Sequence, residues 1–85
     1  MHELQANIDR LNIRKSGEIR VIKNLALTTD DVLDWCKKLI LNEKTVFESD
    51  PKHWYAYLGN DMLIVRTASY TVASGLRNAY ARSSL

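Results

Sequence analysis

Apolar residues recur three or four positions apart through the first part of the chain, which is the spacing of one face of a helix. They form two sets: Leu4, Ile8 and Leu11, then Ile19, Ile22 and Leu25. The Ser16-Gly17 pair between the two sets is typical of a helix end. The pattern predicts two short helices, over residues 3–15 and 18–25, with a break at Ser16-Gly17.

The strongest helical pattern begins after Thr28-Thr29-Asp30-Asp31. A threonine at this point can cap the first free amides of a helix, and acidic side chains suit the positive end of the helix dipole. A broad apolar face follows, formed by Val32, Leu33, Cys36, Leu39 and Ile40. The pattern predicts a helix over about residues 30–41 that ends near Asn42 and has Thr28 or Thr29 as its cap.

After Asn42 the apolar positions alternate with a period of two, as they do in strands. The predicted strands are Val46-Phe47, residues 53–58, "MLIVRT" and "YTVA", with turns at Asp50-Pro51, Gly59-Asn60-Asp61 and Ala68-Ser69. In residues 53–58, Trp54, Ala56 and Leu58 alternate with His53, Tyr55 and Tyr57. Because successive side chains of a strand point to opposite faces, we expect the Trp54 side to pack on the helices and the His53 side to be open.

Helices followed by a run of strands indicate the α+β class. We expect two or three short N-terminal helices packed on a small antiparallel sheet of three to four strands. The 85 residues are enough for one domain. Its expected parts are a helical part over 3–41, a sheet over 44–73, and a basic tail or short helix over 75–85.

Composition narrows the expected location and chemistry. The one cysteine, Cys36, excludes an internal disulfide, and no signal peptide or membrane-spanning run is visible, so we expect a cytoplasmic protein. The chain contains neither a glycine-rich phosphate loop nor a metal-ligand spacing, so no cofactor or metal is expected. Cys36 lies on an apolar helix face, which favours a packed thiol over a nucleophile.

The charged side chains are unevenly distributed. Residues 1–27 carry five basic and three acidic side chains, residues 28–61 carry four and seven, and residues 62–85 carry three and none. The three cations of the last segment, Arg66, Arg77 and Arg82, are expected to lie near one surface. Such a surface suits phosphates or an acidic partner, although an ordinary solvated surface has the same composition.

One catalytic reaction is compatible with these residues because it needs no metal. RNA cleavage by attack of the 2′-hydroxyl requires a base, an acid and cations that hold the phosphate. Suitable residues are His53, Tyr55, Arg66, Arg20, Lys23 and the hydroxyls of Thr67, Ser69 and Thr71. The same open aromatic face, with His53, Tyr55 and Tyr57, can stack on bases or contact a protein.

The run "RVIKNLALTTDDVLDWCKKLI", followed by "HWY" and "SYT", resembles a family of small bacterial proteins described only as a domain of unknown function. The resemblance covers roughly residues 3–73 and implies a fold but no activity. The order of short helices and a small antiparallel sheet is similar to metal-free ribonuclease toxins of the barnase, colicin-D and RelE type. That similarity is one of fold alone.

The end of the chain departs from that family. Relatives are expected to finish the last strand with a threonine, a histidine and a lysine, where this chain has Val72-Ala73-Ser74-Gly75 and then "LRNAYARSSL". If the replaced residues carry chemistry in the family, this chain is a binder on an enzyme-like frame. The departure favours a non-enzymatic protein.

The sequence therefore favours a small non-enzymatic binding protein that acts on a nucleic acid or nucleoprotein, such as an inhibitor of a host machine encoded by a phage or another mobile element. The residues expected to bind are His53, Tyr55, Tyr57, Arg66, Arg77 and Arg82. One alternative is a metal-independent endoribonuclease, with His53 as base or acid and Arg66 near the phosphate. The other is a homodimer or antitoxin-like partner that pairs through an exposed sheet edge. No membrane partner is expected.

Overall fold

Three α-helices and a five-stranded sheet form the fold over residues 1–77, the part of the chain that the computed structural model describes. The helices are α1 (Glu3–Ala6), α2 (Lys15–Leu25) and α3 (Val32–Leu41), and a 3-10 helix, Ile8–Arg10, follows α1. The strands are β1 (Asn12–Ile13), β2 (Val46–Ser49), β3 (His53–Leu58), β4 (Asp61–Arg66) and β5 (Thr71–Arg77). The α+β class is confirmed.

The sheet is mixed, with the strand order β1-β5-β4-β3-β2. β1 runs parallel to β5, whereas the other neighbours are antiparallel. The prediction of three to four antiparallel strands is therefore short by β1, which pairs through two residues and lies inside the segment predicted to be the first helix. Asn12 holds this strand in place: its Nδ2 donates to the carbonyl of Ser69 at 2.9 Å, and its Oδ1 accepts from the Thr71 hydroxyl at 2.8 Å.

The predicted break at Ser16-Gly17 is wrong, because α2 begins at Lys15 and contains both residues. Gly17 is needed there for packing: a Cβ atom on it would lie 2.6 Å from the carbonyl oxygen of Val72 in β5. The buried face of α2 is also shifted from the predicted one. Val21 and Leu25 are fully buried, whereas Ile19 is 54% exposed.

Helix α3 occupies nearly the predicted range and buries the predicted face, with Leu33 packed at its margin. Its cap is different. The backbone amide of Asp34 donates to Asp31 Oδ1 at 2.9 Å, so Asp31 is the N-cap, and Thr29 instead accepts from the Asp31 amide at 3.2 Å. Asp31 is closer to the first turn than either threonine, and its carboxylate therefore reaches the amide that the threonines were expected to bind.

The β3–β4 hairpin has the predicted turn, in which Gly59 adopts a left-handed φ of 60°. β5 pairs with β4 with one extra residue, since Ile64 lies opposite Ser74 and Val65 opposite Val72. The extra residue, Ala73, makes a bulge at this point. β5 continues through Arg77, into the segment predicted to be a tail or short helix over 75–85, and residues 78–85 lie outside the described part.

The helices cover one face of the sheet. The strand residues beneath them are buried and include Trp54, Ala56, Leu63, Val65 and Val72. The two edge strands of this sheet are β1 and β2. None of the helices in residues 1–77 is long and apolar enough to cross a membrane.

Candidate functional site

The face of the sheet opposite the helices carries the aromatic residues that alternation predicted. Tyr55 lies opposite Ile64 and Tyr57 opposite Met62, while His53 lies opposite Arg66 at the end of the hairpin. Trp54 and its neighbours face the other way, into the core. The predicted openness of the aromatic face holds only in part, because Tyr55 and Tyr57 are half-buried and Met62, on the same face, is only 6% exposed. His53 and Arg66, which the sequence could only propose as partners, are therefore adjacent on one face.

A cavity of about 580 Å³ opens at this end of the β3–β4 hairpin. Two loops form its walls: the β2–β3 loop approaches the β4–β5 loop, and the Thr67 amide donates to the carbonyl of Lys52 at 3.0 Å. The lining residues are Pro51, Lys52, His53, Arg66, Thr67, Ala68 and Ser69. Two cations, an imidazole and two hydroxyls therefore surround one space.

Asp50 fixes the imidazole of His53 at the margin of this cavity. Asp50 Oδ1 accepts from the backbone amides of Lys52 and His53 at 2.8 and 2.7 Å, and it lies 3.3 Å from His53 Nδ1. The Tyr55 hydroxyl donates to Asp50 Oδ2 at 2.5 Å. These hydrogen bonds, above all that from Tyr55, lower the pKa of Asp50 to about 2. Asp50 is thus ionised and can orient a neutral or a protonated imidazole.

A second cavity, of about 120 Å³, lies between the start of α2 and β5. The close contact of Gly17 with Val72 brings the first turns of α2 to the sheet beside the Ala73 bulge. The lining residues are Arg14, Ser16, Gly17, Arg20, Arg66, Thr71, Val72 and Ala73. Arg66 lines both cavities, so the two spaces are neighbours.

We call the four cations of these cavities, Arg14, Arg20, Lys52 and Arg66, the basic surface. All four side chains are exposed. The ion pairs formed within residues 1–77 join other residues: Lys38 with Asp34, His53 with Asp50, and Arg77 with Asp61. No acidic side chain lines either cavity. Within residues 1–77, therefore, no direct ion pair joins a cation of the basic surface to a carboxylate.

The other predicted cations lie elsewhere. Arg77 is opposite Asp61 at the far end of the β4–β5 ladder, where its Nε donates to Asp61 Oδ1 at 3.2 Å. From Asp61 to Arg66 the strand spans roughly 17 Å, at about 3.3 Å per residue. Lys23 is in the last turn of α2, and Arg82 lies outside the described residues. The structure thus brings Arg66 together with Arg14, Arg20 and Lys52, and not with Arg77.

Sequence reasoning missed three residues of the site: Arg14, Lys52 and Asp50. Arg14 was missed because it follows the unpredicted strand β1, which brings it to β5. Lys52 and Asp50 had a signal, since both belong to the Asp50-Pro51 turn that immediately precedes His53. Cys36, by contrast, is a packed thiol as predicted: it is fully buried, and burial raises its pKa to about 12.

A shallow groove of about 390 Å³ continues along the sheet face opposite the helices. Its lining residues are Glu48, Ser49, Asp50, Tyr55, Tyr57, Met62, Ile64 and Leu76. The rings of His53 and Tyr55 lie 6.1 Å apart, so aromatic surface extends from the large cavity into the groove. Within residues 1–77, no group of three His, Cys, Asp or Glu side chains is placed to hold a metal ion.

The sequence profile of one protein family matches residues 5–74. The chain belongs to the protein family of unknown function DUF3781. The matched segment contains all the residues that line the two cavities. Comparison with curated proteins and with solved structures gives no match. The predicted likeness to metal-free ribonuclease toxins therefore stays a prediction.

Proposed function

We propose that this DUF3781 protein binds single-stranded nucleic acid. The observation that carries the proposal is the basic surface: four exposed cations line two adjoining cavities and form no ion pair within residues 1–77. Cations gathered in one place favour a polyanion, because each phosphate they contact releases counterions from the strand.

The aromatic side chains next to the basic surface favour a single strand over a duplex. Tyr55 and Tyr57 lie half-buried on the sheet face opposite the helices, and His53 connects that face with the large cavity. A base can stack on such rings only after it has left its own stack, as it has in loops and single strands. The cations would hold the backbone while the rings accept bases.

The proposal also covers the partner and the location that the sequence predicts, namely a nucleoprotein and the cytoplasm. A nucleoprotein would be bound through its exposed nucleic acid, and inhibition of a host machine would follow from occupying that strand. A cytoplasmic location suits both the ligand and the unpaired thiol of Cys36.

Metal-independent RNA cleavage is the second candidate, and one observation favours it: Asp50 holds Nδ1 of His53 while Arg66 lies across the hairpin. In this reaction Nε2 of His53 takes the proton of a 2′-hydroxyl. The 2′ oxygen bonds to phosphorus as the bond from phosphorus to the 5′ oxygen breaks, and water protonates the leaving 5′ oxygen. Arg66 would stabilise the charge on the phosphate oxygens.

Fluorescence anisotropy with a labelled single strand, unphosphorylated at both ends, tests binding over a series of salt concentrations. We expect wild-type affinity to fall steeply with salt, and Arg66→Ala to weaken binding and reduce the slope of log K against log salt by about 0.7 for each lost phosphate contact. The control Lys38→Ala/Lys44→Ala removes two exposed cations outside the basic surface and should leave the slope unchanged. Equal slopes for wild type and Arg66→Ala would contradict the proposal.

Incubation of RNA with the protein in EDTA separates binding from cleavage. The binding proposal predicts intact RNA with both wild type and His53→Ala. The second candidate predicts products that end in a 2′,3′-cyclic phosphate, and their loss in His53→Ala. Cleavage by both wild type and His53→Ala would exclude His53 as the base and point to a contaminating nuclease.

A further inference from the structure

We infer that the small cavity between α2 and β5 is a site for the terminal phosphate of a nucleic-acid strand. This inference rests on the proposed function and deepens it, because it names the part of the strand that is recognised. Three arginines, Arg14, Arg20 and Arg66, line the cavity. The lining also contains the hydroxyl of Ser16, whereas that of Thr71 already donates to Asn12 Oδ1.

The size of the cavity suits a phosphate group. Its volume is about 120 Å³, and a cavity of about 150 Å³ holds a single benzene ring, so a phosphate fits while the rest of a nucleotide would extend beyond it. The backbone of Val72 and Ala73 closes one side, and the close packing of Gly17 on Val72 keeps that wall in place.

The charge of the cavity favours a terminal phosphate over one inside the strand. A phosphate monoester carries a charge of about −1.5 to −2 and three free oxygens. A diester inside a strand carries one negative charge and two free oxygens. Three guanidinium groups, each a fork of donors, match the first better than the second. The lining contains no carboxylate that would repel either anion.

The neighbouring cavity has room for the nucleoside that carries this phosphate. It is about 580 Å³, within the range of about 300–1,000 Å³ typical of small-molecule sites, and it contains the imidazole of His53. Arg66 lines both spaces and would lie at the junction of phosphate and sugar. The rest of the strand would then leave this cavity into solvent, so that its end is held and its length is exposed.

Three oligonucleotides of one sequence test the inference: one with a 5′-phosphate, one with a 3′-phosphate and one with hydroxyls at both ends. We expect one phosphorylated end to increase affinity about tenfold, which corresponds to about 1.4 kcal/mol. Which of the two ends does so identifies the terminus. Arg14→Ala/Arg20→Ala should abolish that preference, whereas Lys38→Ala/Lys44→Ala, which loses the same charge, should keep it.

Equal affinity of the wild type for all three strands would overturn the inference. If that shared binding is still salt-dependent and weakened by Arg66→Ala, the proposed function stands without it; if no strand binds, both fail. A preference that survives in Arg14→Ala/Arg20→Ala, with circular dichroism showing a folded variant, would also overturn it.

NMR titration with inorganic phosphate gives an independent readout. We expect the amide signals of Ser16 and Gly17 to shift with phosphate and to stay in place with chloride at equal ionic strength. Identical shifts with both salts would count against the site.

Discussion

Trp54 lies on the sheet face that the helices cover. Its side chain is only 8% exposed, and its ring meets that of Tyr70 edge-on with centroids 5.1 Å apart. We expect Trp54→Ala to lower the free energy of unfolding by about 3–5 kcal/mol, because a large aromatic group is lost from the core. Chemical denaturation measures this change. Tyr57→Ala, on the opposite face of the same strand, is the control and should lower the free energy of unfolding by less. An equal loss in both variants would contradict the assignment of faces.

Tyr55 controls the ionisation of Asp50. The pKa of Asp50 is about 2, mainly because the Tyr55 hydroxyl donates to its carboxylate. We expect Tyr55→Phe to raise this pKa toward about 3.9, the ordinary value for aspartate. NMR titration of the side-chain carboxyl carbon measures it directly, with Tyr57→Phe as the control. An unchanged Asp50 pKa in Tyr55→Phe would show that the hydrogen bond is absent in solution.

The lowered pKa of Asp50 also predicts how the stability of the fold changes with pH. The pKa of Asp50 is lower in the folded protein than in the unfolded chain, so its ionised form favours folding. This contribution is fully present above about pH 4 and is lost as the pH falls through about 2. Acid unfolding of Tyr55→Phe should therefore begin at a higher pH than that of wild type.

At the scale of elements, the contact between α2 and β5 depends on one glycine. A Cβ on Gly17 would meet the Val72 carbonyl oxygen at 2.6 Å, and a backbone atom cannot move aside as a flexible side chain can. We expect Gly17→Ala to destabilise the protein by about 1–3 kcal/mol although alanine favours helices, because α2 must shift away from the sheet. Thermal or chemical unfolding checks this, with Ser16→Ala as the control. A stabilised Gly17→Ala would show that helix propensity outweighs the contact.

The elements that could be predicted from sequence are those determined by neighbouring residues. α3 has its own acidic start and apolar face, and the β3–β4 hairpin has its own turn at Gly59. β1 and the first turn of α2 could not be predicted, because both depend on β5, which lies far away in the chain. Within the site, alternation correctly placed His53 on the face opposite Trp54, but no local pattern could bring Arg14 to Arg66.

At the scale of the whole molecule, charge along the sequence is a poor guide to charge in space. The acid-free segment from residue 62 onward suggested one basic surface containing Arg66 and Arg77. The fold places them at opposite ends of a hairpin and gives Arg77 a carboxylate partner, Asp61. Arg66 instead joins Arg14 and Arg20, which come from a segment with acidic neighbours in sequence. Topology therefore decides which cations act together.

The pairing of β1 with β5 also sets the order in which the newly made chain can finish folding. Asn12 bonds to Thr71, 59 residues later, and Tyr70 bonds to Glu3 across 67 residues. On the ribosome, the first strand must wait for almost the whole domain to be synthesised, and such distant contacts are slow to form. Arg14 and Arg20 reach Arg66 only once β5 lies between them. Because residues of β5 line the small cavity, a growing chain has no such site before β5 has emerged from the ribosome.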